Sequence, residues 1–152
     1  MPADYSCITA SIFFVLALTS FVDLLTATIP DILIFLGLLA VTVARGLGHS
    51  WEDSAHHLRQ AIGAGLVIWV INFLWYKKFR HDALGMGDAK WTMLAVDCFG
   101  ILPALIAWGV GSVLAVVFIG VAKIFKRPIA RVHFAPFLFA GLCAGIYWQF
   151  KM

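Results

Sequence analysis

Charged side chains are scarce in this sequence. Lys, Arg, Asp and Glu make up 12% of its 152 residues and hydrophobic residues make up 62%, whereas soluble domains contain about 25% charged and about 45–50% apolar residues. Because a soluble domain of this size cannot bury so much apolar surface, the composition excludes a cytosolic enzyme, a nucleic-acid-binding module and a disordered regulator. The mean hydropathy of +0.96 indicates a protein of the lipid bilayer.

The sequence also has few cysteines and no basic residue near its N-terminus. Cys7, Cys98 and Cys143 lie far apart and form no Cys-x-x-Cys pair, which argues against a zinc site or a disulfide framework. We expect three buried thiols and neither a metal nor another cofactor. No Lys or Arg precedes the first apolar run, whereas a cleaved signal peptide begins with a basic segment, so we expect this run to stay in the mature protein.

Six apolar segments follow one another along the chain. A membrane-spanning helix needs about 20 residues, and six of them leave room only for short loops. The expected fold is therefore all-α: residues 1–152 form a single polytopic membrane domain of about six transmembrane helices. We place the spans at residues 8–25, 29–43, 61–75, 89–99 extended by one turn, 102–124 and 134–150.

Basic residues are divided unequally between the two sides of such a protein. Loops one, three and five, with the start of span four, hold eight of the eleven Lys and Arg residues. These are Lys77, Lys78, Arg80, Lys90, Lys123, Lys126, Arg127 and Arg131. The other side holds Arg45, Arg59 and Lys151. Under the positive-inside rule, the side with eight basic residues is cytoplasmic and both termini lie outside.

The second loop, residues 44–60, is expected to lie on the outer surface. It holds His49, His56 and His57. On a helix the adjacent His56 and His57 would point about 100° apart, which makes them poor co-ligands. Solvated histidines are therefore favoured over a metal site.

Two aspartates interrupt apolar sequence where charge is costly. A charged side chain at the centre of a membrane helix costs about 2.5–3.5 kcal/mol on insertion scales, so such residues are candidates for function. Asp23 ends span one and Asp88 begins span four, and the orientation places both at the cytoplasmic side. Two close carboxyl groups in a low dielectric share one proton, so one can activate water while the other polarises a carbonyl. Such a pair hydrolyses an amide bond without a metal.

The glycines before Asp88 suit this chemistry. Gly85 and Gly87 have no side chains and leave room for a substrate backbone, and the N-terminal end of span four favours an ionised carboxylate. The alternative is that Asp88 is only the N-cap of span four.

Two other aspartates are expected to have structural roles. Thr28, Pro30 and Asp31 read as the start of span two, with Thr28 as N-cap, Pro30 in the first turn and Asp31 reaching back in a capping box. Asp97 lies nine residues after Asp88, half a turn away and about 13 Å along the helix. We expect it at the outer interface.

Three segments resemble motifs of the type IV prepilin peptidase family. Residues 23–31, DLLTATIPD, resemble its Asp-x(6)-Pro element, and residues 85–90, GMGDAK, resemble its Gly-x-Gly-Asp motif with the following Lys. Residues 133–137, HFAPF, resemble the segment before its last span. The order and spacing of the three elements agree, and the resemblance covers nearly the whole chain.

This resemblance implies a GxGD-type aspartyl protease of the bacterial inner membrane that removes the leader from prepilins or pseudopilins at the cytoplasmic face. It implies that Asp23 and Asp88 are the catalytic pair, that a substrate helix and lipid are the partners, and that neither nucleic acid nor a cofactor takes part. The chain is similar to the short members associated with Flp or tight-adherence pili, without an N-terminal methyltransferase region. Archaeal preflagellin peptidases are similar in design. The residues that would shape the site or bind substrate are Gly85, Gly87, Lys90, Pro30 and Pro136.

Several departures and alternatives stay open. Residues 24–28 contain no basic side chain, Asp31 stands where Asn is common, and Ala135 stands where Gly is common. Lys90 either orients the site or extends to the interface. The alternative functions are a small membrane channel or proton-coupled transporter, and a non-catalytic scaffold. The Gly141-x-x-x-Gly145 step is expected to pack helices within the chain and does not predict an oligomeric state.

Overall fold

The computed structural model describes residues 3–26, 28–80, 85–125 and 133–151, except for the side chains of residues 3–9 and 150. These ranges form six helices, which confirms the predicted all-α class for this part of the chain. The helices are α1 (Ala3–Thr26), α2 (Asp31–Gly48), α3 (Trp51–Phe79), α4 (Met86–Phe99), α5 (Ile101–Ile124) and α6 (Ala135–Lys151). The predicted loop residues Lys126, Arg127 and Arg131 lie outside the described residues.

The helix α3 begins at Trp51, well before the apolar segment that predicted it. Its N-cap is Ser50, whose hydroxyl accepts a 3.0 Å hydrogen bond from the Asp53 N–H. This cap allows the helix to start within the polar stretch, because a helix start depends on hydrogen bonds to its first N–H groups and not on apolar residues. The predicted surface loop over residues 44–60 is therefore wrong, since only two residues separate α2 from α3.

Three of the described helices, α2, α3 and α5, are long and apolar enough to cross a membrane. In α1 the apolar stretch Ala10–Thr26 is shorter, and α4 and α6 have 14 and 17 residues. Large apolar side chains cover the outward faces of the longer helices, as a lipid environment requires. Examples that are between 48% and 68% exposed are Leu66, Trp69, Phe73, Val113 and Val116. These features fit a membrane protein, and the six-span topology stays a prediction.

Glycines allow the backbones of α5 and α6 to touch. A Cβ atom at Gly141 would lie 2.5 Å from the Ala107 carbonyl oxygen, and one at Gly145 would lie 2.9 Å from the Pro103 carbonyl oxygen. A larger residue at either position would force the helices apart. The Gly141-x-x-x-Gly145 step therefore holds α6 against α5.

A single glycine connects α4 to α5. The φ angle of Gly100 is +88°, a conformation that residues with a side chain rarely adopt. The Gly100 N–H donates a 2.9 Å hydrogen bond to the Val96 carbonyl oxygen and so closes the last turn of α4. This short connection determines where α4 ends relative to α5.

A buried ion pair lies near this connection. Arg45 Nη1 of α2 is 3.3 Å from Asp97 Oδ1 of α4, and Arg45 Nη2 donates a 2.7 Å hydrogen bond to the Asp97 carbonyl oxygen. The Thr42 hydroxyl donates a longer bond of 3.5 Å to Asp97 Oδ2. Asp97 is fully buried, so the prediction that it lies at the outer interface is wrong. Its negative charge is compensated inside the protein by Arg45.

Two described cysteines, Cys98 and Cys143, carry free thiols. Cys98 is half-buried, as a small apolar residue beside the core, whereas Cys143 is exposed on α6. The expectation of buried thiols is therefore wrong for Cys143, because α6 presents this position away from α5. The side chain of Cys7 lies outside the described residues.

Candidate active site

Asp23 and Asp88 meet at the end of the bundle where α1 ends and α4 begins. Asp23 lies one turn before Thr26, the last residue of α1, and Asp88 lies in the first turn of α4. Each residue is only 9% exposed, and the carboxyl groups are close enough for the charge of Asp23 to act on Asp88. The structure thus brings together the two aspartates selected from the sequence.

The carboxylate of Asp88 is held by the start of its own helix. Gly85 is the N-cap of α4, and its N–H donates a hydrogen bond to the Asp88 carboxylate. Asp88 is therefore the third helical residue and reaches back to the N-cap, as the acidic residue of a capping box does. The alternative in which Asp88 itself is the N-cap is wrong. The hydrogen bond from Gly85 and a role of Asp88 in chemistry are compatible, because one carboxyl oxygen can accept this bond while the other faces a substrate.

The carboxylate of Asp23 is held by the first residue of α6 and faces a histidine just before that helix. The Ala135 N–H donates a hydrogen bond to it, and His133 Nδ1 lies 4.0 Å from Asp23 Oδ2. Ser20, one turn earlier on α1, donates a 3.3 Å hydrogen bond to the Ala135 carbonyl oxygen. Residues 133–135 therefore form one wall of the site.

His133 is the site residue that the sequence prediction missed. The prediction selected Pro136 from the same segment, and Pro136 is the second residue of α6, where proline suits a helix start because no N–H is needed there. The sequence contained one signal for His133: it is a titratable side chain directly before the last span, on the same side as Asp23 and Asp88.

The two glycines before Asp88 have different surroundings. Gly85 is exposed, and a Cβ atom there would lie 2.9 Å from Asp88 Oδ2, so a side chain at this position would press against the carboxylate. A Cβ atom at Gly87 would lie 3.1 Å from Ile29 Cδ1. The space beside Gly87 is thus filled by Ile29 and not left for a substrate. Gly87 therefore shapes the site by letting the α1–α2 connection pack against α4.

The start of α2 differs from its prediction. Its N-cap is Pro30, which makes no side-chain cap hydrogen bond, and its first residue is Asp31. The predicted capping box with Thr28 as N-cap is therefore wrong, because the Thr28 hydroxyl pairs with the Thr26 hydroxyl at 2.9 Å. Asp31 Oδ1 instead lies 2.6 Å from Lys90 Nζ. This ion pair joins the first turn of α2 to the first turns of α4, an orienting contact for Lys90.

An apolar groove of about 480 Å³ opens between α3, α4 and α5. Its α4 wall includes Thr92 and Val96, which follow Asp88 at steps of four residues and so share its helix face. Gly63 of α3 also lines the groove, and a Cβ atom there would meet nothing within 4 Å. The groove therefore extends along α4 to within one turn of Asp88.

The site offers two carboxyl groups, those of Asp23 and Asp88. Among the described residues, no three His, Cys, Asp or Glu side chains are grouped as metal ligands.

The chain was also compared with protein-family models, curated proteins and solved structures, and none of them matches.

Proposed function

We propose that this chain is a membrane-embedded aspartic endopeptidase that removes the leader peptide from prepilin-type or pseudopilin substrates. The observation that carries the proposal is the pairing of Asp23 with Asp88, both buried and both at one end of a bundle of apolar helices. Burying two carboxyl groups beside each other costs free energy, and such costly arrangements are typical of functional sites.

The pair has the chemistry of peptide hydrolysis. Two adjacent carboxyl groups in a dry site cannot both ionise, so one keeps its proton. The ionised partner takes a proton from water while the protonated partner hydrogen-bonds the scissile carbonyl. Titration belongs to the pair rather than to either residue. Neither a metal nor a nucleophilic side chain is required.

The contacts among the three family-like segments support the proposal. Asp23 of the first segment accepts a hydrogen bond from Ala135 of the third, and Asp31 of the first pairs with Lys90 of the second. Segments that are far apart in the sequence thus meet around the two aspartates. Such convergence is expected of an active site, whereas three chance resemblances have no reason to meet.

The apolar groove suits the expected substrate, whose mature part begins with an apolar helix. That helix would pack between α3 and α5, with the leader junction reaching Asp88 one turn beyond Thr92. The basic residues of loops three and five favour a cytoplasmic location for this end of a six-span bundle in the bacterial inner membrane. Those residues would also hold anionic lipid headgroups near the site.

The two other functions have weaker support. A channel or transporter would use acidic side chains distributed across the membrane, and the additional internal acid, Asp97, is paired with Arg45. A scaffold would need neither aspartate. Loss of cleavage on removing one carboxylate distinguishes the peptidase from both.

A cleavage assay in membranes tests the proposal. The chain is expressed with a prepilin-type protein in a bacterium that lacks its own prepilin peptidase, and loss of the leader is followed on a gel. We expect cleavage by wild type and by Glu52→Gln, an exposed acid of α3, and none by Asp23→Asn or Asp88→Asn at equal membrane levels. Cleavage by either aspartate variant at the wild-type rate contradicts the proposal.

A further inference from the structure

The two carboxyl groups of the site differ in their surroundings. Asp23 receives the Ala135 N–H and faces His133, whose Nδ1 is 4.0 Å away. Among the described residues, Asp88 receives the Gly85 N–H at the start of its own helix and faces the charge of Asp23, without a basic partner. The surroundings of Asp23 therefore stabilise a negative charge better than those of Asp88 do.

We propose that His133 is a positioning residue that holds Asp23 as the ionised member of the pair, so that Asp23 is the general base and Asp88 is the general acid. This inference rests on the proposed peptidase function and adds the roles of the two carboxyl groups. In this role the His133 ring would carry a positive charge opposite Asp23 Oδ2, and the Ala135 N–H fixes the orientation of the carboxylate. His133 acts on the reaction through Asp23.

The proton balance of the reaction follows from these roles. In the first step Asp23 takes a proton from water, the water oxygen bonds to the scissile carbonyl carbon, and Asp88 gives its proton to the carbonyl oxygen. In the second step the C–N bond breaks, the departing nitrogen takes the proton held by Asp23, and a hydroxyl of the tetrahedral intermediate returns a proton to Asp88. One water is added across the bond, and Asp23 is again ionised while Asp88 is again protonated.

One other charged group near this end, Lys90, has a partner of its own. Lys90 Nζ lies 2.6 Å from Asp31, so its charge is engaged on α2. Among the described residues, the charged group that acts on Asp23 is His133, from the segment before α6, and Asp23 in turn acts on Asp88 of α4. The side chain of His133 is about a quarter exposed, 27%.

The test is the pH dependence of cleavage by the purified full chain in lipid vesicles, with a prepilin-type protein as substrate. The acidic limb of a rate profile reports ionisation of the base. In His133→Gln the positive charge is lost and the ionised base forms only at higher pH, so the acidic limb moves up by about one pH unit and the rate on that limb falls about tenfold. In His133→Lys the charge is kept, so the limb stays at or below its wild-type position. The matched control His56→Gln, an exposed histidine of α3, leaves the profile unchanged.

Failure of this inference is distinguishable from failure of the proposed function. If wild type cleaves and both aspartate variants do not, but His133→Gln has the wild-type profile, the peptidase stands and the role of His133 is wrong. The same conclusion follows if His133→Gln lowers the rate equally at every pH and His133→Lys does not restore it, since that is the result for a structural residue. If Asp23→Asn still cleaves, the proposed function fails, and the assignment of Asp23 as base fails with it.

Discussion

Lys90 Nζ lies 2.6 Å from Asp31 Oδ1, and this ion pair ties α4 to α2 two residues after Asp88. Both side chains are partly exposed, 36% and 75%, so the pair adds at most about 1 kcal/mol to stability. Its importance is geometric, because the position of the first turn of α4 determines how Asp88 meets Asp23.

Charge reversal tests this positioning. Asp31→Lys and Lys90→Asp are each expected to lower the cleavage rate about tenfold with little change in thermal stability, because small misplacement of a catalytic group is costly. The double variant restores the pair with opposite polarity and is expected to recover most of the rate. The measurement is kcat in vesicles for the four proteins. If the double variant is as slow as the slower single variant, Lys90 acts by another route, such as substrate contact.

The Arg45–Asp97 pair is expected to be important for stability and not for catalysis. Removing one partner of a buried ion pair costs about 3–5 kcal/mol, whereas replacing both with apolar residues is often neutral. Arg45 also lies 3.9 Å from Asp53, so loss of Arg45 is expected to cost more than loss of Asp97. Arg45→Met and Asp97→Leu should therefore each lower the unfolding temperature in detergent, and the double variant should regain most of the loss. A double variant as unstable as the single ones would show that Arg45 is needed for its hydrogen bonds to the end of α4.

Filling the apolar groove is expected to weaken substrate binding. A Cβ atom at Gly63 meets nothing within 4 Å, so Gly63→Leu should fold normally while its side chain occupies the groove. We expect KM to rise about tenfold with kcat little changed, since one lost helix contact of about 1–2 kcal/mol has that effect. Gly120→Leu on α5 is the matched control, because Gly120 also has open space and does not line the groove. Equal KM values for the two variants would place the substrate elsewhere.

The two aspartates could be selected from the sequence because of where they stand. Charge within apolar segments is costly, so Asp23 and Asp88 could each be identified without knowledge of the other. Successive loops lie on alternate sides of a membrane, which predicted that both residues lie at the same end. Six helices were predicted for the same reason, since hydropathy marks each segment separately. The boundary of α3 was missed because its first turns are polar and depend on the Ser50 cap.

Contacts between residues far apart in the sequence could not be predicted from hydropathy and local motifs. Arg45 was assigned to a loop and Asp97 to an interface, although both predictions put them on the same side with opposite charges. Asp31 was assigned to a local capping box, whereas its partner Lys90 comes from a different helix. His133 is near Asp23 only because α6 packs against α5 and returns to α1. Each of these contacts depends on how helices pack, which a single sequence does not specify.

The most direct test of the account is whether Asp23 and Asp88 work as one unit. Cleavage rates are measured for purified wild type, Asp23→Asn, Asp88→Asn and the double variant in lipid vesicles, with Glu52→Gln as the control. We predict a loss of about 10²–10⁴-fold in each single variant and no further loss in the double variant, because groups that act together are not additive. A single variant that keeps the wild-type rate, or losses that multiply in the double variant, would contradict the paired mechanism.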